Sequence, residues 1–367
     1  MISIEGEIWV NPQKILENGV LLIENGKIIA VGESLVIPSH CRRYLYENGE
    51  QILPGFVDPH THLGLYEEVY SRELLNEGTN LVTPWIEAHY GIRYFDMGFK
   101  EALHTGGVTT VGVLPGSSNI ISGVGCVVKT GGKNPLMKKH EGLKISLGDN
   151  ILTCHSQRIQ TKMAIGSILN NTFSQVASGV MKEGDAFIAK ALKGELKVRV
   201  HCHREEDIRI ALDLKEEFNL DMVIEHGTEG HYLIDEIKNS NVSFVGGPFF
   251  IGRPKVEMAN LNRQLLTKLK DHSVEVSFMT DYPSNPPEML KIALLEVIKH
   301  GISPMDAFEM ITCSAAQILG VEEQVGSLDV GKDGDVVIHS QSPFEYNSFV
   351  KDVFIKGEKI EWTENYY

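Results

Sequence analysis

Cysteine is scarce in this chain of 367 residues. The five present, Cys41, Cys126, Cys154, Cys202 and Cys313, are odd in number and widely scattered, and no two form a C-x-x-C pair. That excludes a disulfide framework and leads us to expect a reducing, cytoplasmic setting. No run of about 18 apolar residues exists to cross a membrane. Residues 1–7 (MISIEGE) read as the start of a strand, not as a basic leader with an apolar run behind it. Positive charge is also short, with 34 Lys and Arg against 49 Asp and Glu and a net charge of −15. Nucleic acid and anionic membranes are therefore poor main partners. A small-molecule substrate is untouched by this argument, because the charge of a site is local. A chain of this kind can also form a homo-oligomer. Internal repeats and low-complexity tracts are missing. What remains is an ordinary globular composition, 42% hydrophobic and 23% charged. The length suits one large domain plus a small one, or a barrel with additions.

The two ends of the chain read alike. Strand-prone runs cover 4–10, 20–23 and 27–31, and Glu24-Asn25-Gly26 between the last two is a hairpin signal. Near the other end, 335–338 and 350–355 are again strand-prone, the latter followed by a Lys356-Gly357-Glu358 turn. This predicts one small β-sandwich domain built from 1–52 and 327–367. The middle, 53–326, alternates strands with helical patterns. Candidate strands are 52–57, 108–114, 124–129, 143–147, 197–201, 222–225, 242–245 and 274–279. Helical spacing of apolar residues marks 205–218 (Ile208, Ala211, Leu212, Leu214), 261–269 and 289–298. Eight strands alternating with helices predict a (β/α)8 TIM barrel, an α/β fold. A doubly wound open sheet is the alternative, but no G-x-G-x-x-G turn follows an early strand. Residues 64–96 form a long segment expected to lie over the carboxyl ends of the barrel strands. Residues 115–142 are rich in Gly, Ser and Lys and suggest a hairpin-like insertion.

Four strand ends carry chemistry. Leu53-Pro54-Gly55-Phe56-Val57-Asp58-Pro59-His60-Thr61-His62 closes an apolar run with two histidines one residue apart. Side chains at i and i+2 of a strand share a face, so the two imidazoles can grip one cation. Val198-Arg199-Val200-His201-Cys202-His203-Arg204, Val223-Ile224-Glu225-His226-Gly227 and Ser277-Phe278-Met279-Thr280-Asp281 end later strands in the same manner. In a barrel these groups converge on one mouth. Cys202 alternates away from that mouth and reads as a buried structural thiol. His89, in the 64–96 segment, is a candidate for contacting substrate.

His-x-His on the first strand, His on the fifth and sixth, and Asp on the eighth resemble the metal set of the amidohydrolase superfamily. Val325-Gly326-Ser327-Leu328-Asp329-Val330-Gly331-Lys332-Asp333-Gly334-Asp335 resembles that family's return into its small β domain. Gly107-Val108-Thr109-Thr110-Val111 and Ile224-Glu225-His226-Gly227 look like the prolidase and imidazolonepropionase-like branches. The resemblance implies metal ligation by His60, His62, His201, His226 and Asp281. It also implies a role for Lys144, in the fourth strand, as a carboxylated lysine bridging two metals. A lysine snorkelling from a strand end is the competing reading of that residue, and Asp149 is a rival ligand. With His201 as the ligand, His203 and Arg204 would face the substrate, the arginine fork suiting a carboxylate. With His203 as the ligand, Glu206 would stand three residues on, as in deaminase relatives.

The implied cofactor is one or two divalent ions, zinc first from the imidazole-rich ligation, with iron or manganese compatible. The implied chemistry is hydrolysis of a C–N bond in an amide, cyclic amide or peptide-like substrate. Asp281 would move the proton and His203 would help to stabilise the developing oxyanion. Two other readings stand beside it: a deaminase acting on an aminated heterocycle, and a non-catalytic binding or scaffold member.

Overall fold

The computed structural model describes residues 1–67 and 72–361. Both ends of the chain enter one hydrogen-bonded sheet of eight strands. Strands Ile2–Asn11, Lys14–Glu24 and Lys27–Glu33 form an antiparallel meander. Its second turn is made by Asn25 and Gly26, at φ 50° and 82°. Two adjacent positive φ values are what a tight hairpin of right-twisted strands requires, and Asn-Gly supplies them at low cost. On its other edge Ile2–Asn11 pairs in parallel with Arg42–Leu45 and then with Gln51–Pro54. The change of partner comes at Gly6, where a Cβ would lie 2.4 Å from the Tyr46 carbonyl oxygen. Gln51–Pro54 pairs with Val336–His339 from the far end of the chain, and that strand with Val350–Ile355. The tip of that second turn then meets the approach to Val336–His339, Gly334 donating its N–H to the Gly26 carbonyl at 2.9 Å. The sheet thus folds over its own core, which includes Ile4, Ile8, Leu21, Ile23, Ile52, Val336, Ile338 and Phe354. Each such side chain contributes about 1.5–3 kcal/mol when fully buried.

The rest of the chain is a TIM-barrel-like α/β fold to which this sheet is the added domain. Every residue of Phe56–Thr61 and Val108–Val113 is buried. That continuous burial marks strands covered on both faces. Phe56–Thr61 and Val108–Val113 run parallel. Gly142–Ser146, Lys197–Cys202, Met222–His226, Ser243–Gly246 and Val276–Phe278 form a second parallel run in that order. Beyond Phe278 the chain returns to the first strand. Asp281 donates its N–H to the His60 carbonyl (3.1 Å), and His62 donates to that of Tyr282 (3.0 Å).

The expected third strand departs from strict alternation. It lies in two pieces, Ile121–Val124 and Cys126–Lys129. The first is antiparallel to Gly142–Ser146 and the second to Val108–Val113, so this inverted strand joins the two parallel runs. Among the described residues, no helix lies between Val113 and Gly142. The hairpin expected within 115–142 and the third barrel strand are one feature, since Cys126–Lys129 also pairs with Leu136–Lys138.

Helix Glu205–Phe218 has the bounds its sequence pattern predicts. Three acidic residues occupy its first turn, and Asn219, at φ 51°, ends it in the left-handed conformation. Leu265–Asp271 and Met289–Lys299 match the other two patterns within a few residues.

Candidate metal centre

The groups singled out at strand ends meet in two adjacent sets. His60, His62 and Asp281 form one, and His201, His203 and His226 the other; within each, one ligand atom per residue lies within 4.8 Å of the rest. The His60 and His226 ring centroids lie 5.5 Å apart across the sets, the rings tilted by 59°.

The hydrogen bonds behind the rings decide which nitrogen faces the mouth. His62 Nδ1 lies 2.7 Å from the Leu114 carbonyl oxygen, and His226 Nδ1 lies 2.9 Å from that of Gly247. A carbonyl only accepts, so Nδ1 carries the proton in each neutral ring and Nε2 keeps its lone pair. His60 Nδ1 donates in the same way to Glu225 Oε2 at 2.7 Å. Its Nε2 and that of His62 stand 3.5 and 3.4 Å from Asp281 Oδ1. The Nε2 atoms of His201 and His226 are buried and have no hydrogen-bond partner among the described residues.

Electrostatics keep these groups ready to coordinate. Burial, reinforced by neighbouring imidazoles, holds His201 and His203 well below the ordinary histidine range. Burial and then Lys144 push His60 down to about 3. Burial alone would raise Asp281, but hydrogen bonding to His62 and the nearby His226 and His60 hold it well below the carboxylate range. Neutral imidazoles and an ionised carboxylate are the protonation states that a divalent cation needs. The residues therefore fit such an ion in both charge and orientation.

Several supports were invisible or only hinted at in the sequence. Arg199 is fully buried and joins Glu225, Glu141 (2.7 Å) and the Pro59 carbonyl (2.8 Å). Burial would raise Glu225, but Arg199 and His60 keep it far below its usual value. Asp58 accepts from the Thr280 hydroxyl (2.5 Å) and amide (3.2 Å), tying the first strand to the approach to Asp281. His226 and Asp281 both have positive φ, 64° and 52°. Non-glycine residues rarely occupy that region, and such strain concentrates at functional sites. Glu257, from the loop after Ser243–Gly246, is fully buried with Oε1 3.7 Å from His203 Nε2. No apolar strand precedes it, so no sequence pattern flags it.

The remaining candidates separate. Lys144 is buried with Nζ 3.4 Å from His60 Nε2, and burial pushes it down to about 8. Snorkelling to solvent does not describe it. The His203 ring stacks on His226 at 4.8 Å, inside the second donor set. Arg204 and Asp149 meet at 3.4 Å, each about one-third exposed, outside both sets. Glu206 turns outward to Lys162 and Arg204. Cys202 is fully buried, and burial raises its thiol well above the usual range.

His89 sits apart from both sets. The 64–96 segment crosses the rim at Leu75 and Leu81, which accept from Gly116 and Ile120. It then runs parallel along the edge of the inverted strand, bridging Val82 to Ile121 and Glu87 to Val124. His89 follows at the end of that run, with Nδ1 3.6 Å from Glu87 and its ring beside that of Tyr90.

Comparison with known proteins gives the fold its relatives. An amidohydrolase from Thermotoga maritima MSB8 superposes with a TM-score of 0.92 at 29% identity, covering 98% of this chain and all of that one. The imidazolonepropionase of Geobacillus kaustophilus is 24% identical over 94% of this chain and 90% of its own length. The amidohydrolase tasK of Hapsidospora irregularis is 21% identical over 92% of this chain, which spans only 39% of that protein. The sequence model of the amidohydrolase family matches residues 51–360. That stretch runs from the strand that locks the terminal sheet, through every histidine and carboxylate of both sets, and back into the sheet, and by it the chain belongs to the amidohydrolase family, hydrolases of carbon–nitrogen bonds.

Proposed function

We propose that this protein is a metal-dependent hydrolase of a small amide, cyclic amide or peptide-like substrate, acting in the cytoplasm. The observation that carries this reading is the pair of donor sets at the strand ends, with the lone pairs of His201 and His226 buried and unpartnered among the described residues. A buried polar atom without a partner costs about 1–3 kcal/mol, so its retention argues for a guest. His60, His62 and Asp281 would hold one divalent ion, and His201, His203 and His226 a second. Zinc is the first choice for imidazole-rich sites. Such an ion supplies Lewis-acid polarisation and lowers the pKa of water from about 15.7 toward about 7.

The chain's own residues do the rest. Asp281, held low by its histidine neighbours, accepts the proton of the attacking water and returns it to the leaving nitrogen. Glu225 fixes the tautomer and direction of His60, and Arg199 keeps Glu225 ionised. Lys144 lies beside His60 with its ammonium destabilised by burial, which favours the neutral amine that carboxylation by CO2 requires. A carbamate there would place an anion beside the first donor set. The division into a terminal domain, 1–52 with 327–367, and a catalytic barrel, 53–326, is part of the same proposal. A deaminase is disfavoured by Glu206, which turns away from the imidazoles.

Metal analysis of the purified protein, beside His60→Ala/His62→Ala, tests the cation; equal content in both would reject these ligands. A screen of N-acyl amino acids, dipeptides, cyclic amides and aminated bases then tests the substrate class. Turnover confined to aminated bases, with ammonia released, would replace the amide reading with the deaminase one.

A further inference from the structure

We infer that Glu257 is an additional metal ligand, completing a three-histidine, one-carboxylate site with His201, His203 and His226. The inference rests on the metal-hydrolase reading above and adds a donor that no strand end supplies.

Glu257 comes from the loop that follows Ser243–Gly246, on the single turn Val256–Met258. Its carboxylate is fully buried. One oxygen, Oε2, accepts from the Asp149 amide at 2.7 Å. The other, Oε1, is buried without a hydrogen-bond partner among the described residues, as are His201 Nε2 and His226 Nε2. These three unpartnered atoms lie on three separate segments, and His203, whose ring neighbours both His201 and His226, links Glu257 to the histidine set. His203 Nε2 lies 3.7 Å from Oε1, with its own Nδ1 engaged by the Thr228 hydroxyl at 2.8 Å. Two donors on one tetrahedral zinc stand about 3.4 Å apart, given bonds of about 2.0–2.2 Å. The observed spacing is close to that and too long for a hydrogen bond. Lys255 Nζ is also 3.7 Å from Oε1, but that side chain is 39% exposed and free to swing outward.

Gly148 makes room for the arrangement. A Cβ there would lie 2.9 Å from Glu257 Oε2 and 3.2 Å from His201 Nε2, so any side chain would wedge between carboxylate and imidazole. Three neutral imidazoles bring no charge to balance a dication. Glu257 would supply that anion from the protein itself, independently of any modification of Lys144.

The test uses the full chain, stripped with a chelator and reloaded with Co(II), whose visible absorption reports the number and type of donors. Glu257→Gln keeps an acceptor for the Asp149 amide and removes the anionic donor. We expect it to bind one class of Co(II) at least about tenfold more weakly, the scale set even by partners that only orient ligands. Its spectrum should change, and Glu257→Asp should fall between it and the parent. Melting of the metal-free variants checks folding. Should Glu257→Gln fail to fold, Glu257→Asp carries the comparison, with weaker binding and an altered spectrum still expected. Parent-like affinity, stoichiometry and spectrum in the folded variant would overturn the assignment and leave the hydrolase reading intact. A parent chain that binds no Co(II) would overturn both.

Discussion

Charge is buried at both ends of the barrel-like fold, and the two ends resolve it differently. At the end where the first strands begin, Lys129 is buried against Asp333 (2.9 Å) and Asp335. Lys27 pairs with Asp333 as well (2.8 Å), and the Lys356 amide donates to Asp335 (2.9 Å). Ammonium meets carboxylate, and the cluster fastens the inverted strand to the terminal sheet. At the mouth, neutral imidazoles crowd together, and nitrogen lone pairs face no hydrogen. The desolvation cost is of the same kind in both places. One end settles it within the protein and gains rigidity. The other leaves it open, which is what a binding site requires.

If that contrast holds, damage to the two ends should read out in different quantities. The largest effect is expected from Lys129→Met, which strands two buried carboxylates. Removing one partner of a buried ion pair costs about 3–5 kcal/mol. Chemical denaturation should show that loss, while metal content and turnover per folded molecule stay near the parent values. A parallel fall in metal content would erase the distinction.

Asp281→Asn should behave in the opposite way. Stability and fold should survive, yet turnover at matched metal loading should drop by at least about a hundredfold, since general acid–base catalysis is typically worth about 10²–10⁴ in rate. An Asp281→Asn enzyme within about tenfold of the parent, well short of that range, would move the proton transfer to another group.

The smallest effect belongs to the terminal sheet. Lys351 hydrogen-bonds Glu50 at 2.6 Å and lowers its pKa, against the opposing effect of burial. A depressed carboxylate contributes stability above its unfolded pKa of about 4.3 and loses it as pH falls through the lower folded value. The parent should therefore lose stability relative to Glu50→Gln on acidification below about pH 4.3, by no more than about 1 kcal/mol for a pair with one exposed partner. A gap between the two proteins that stays constant with pH would remove Glu50 from the account.

How far the sequence could be read depends on what each feature announces locally. The helix 205–218 declares itself through an acidic first turn, apolar spacing and Asn219. The strand-end histidines declare themselves because an apolar run fixes both the element and the direction of its last side chains. Pairing of the termini followed from matching β-rich ends, and it is observed as Gln51–Pro54 against Val336–His339. The direction of the third strand had no such marker. A strand reads alike in either sense, and only the missing helix between 113 and 142 hinted at inversion. The path of the loop that carries His89 had no such marker either: only the fold shows that residues 82–87 run along the edge of the inverted strand. Glu257 belongs to a turn with no periodicity, so only the fold reveals its neighbours.

The inverted strand has a consequence for how this enzyme can be altered. Val108–Val113 and Ile121–Val124 deliver both ends of residues 114–120 to the mouth, so that stretch is a hairpin tip. Ser117 and Asn119 already reach across it to Asn150 and His155. In a strand-then-helix unit, a longer loop has to re-seat the helix that follows. Here both stems are held by sheet hydrogen bonds, and no helix follows that a longer tip would have to re-seat. Leu114, Gly116, Asn119 and Ile120 are buried and the Leu114 carbonyl sets the His62 ring, so the replaceable part of this rim is the half-buried Ser117-Ser118 pair, where inserted sequences would diversify substrate choice at least cost to the fold.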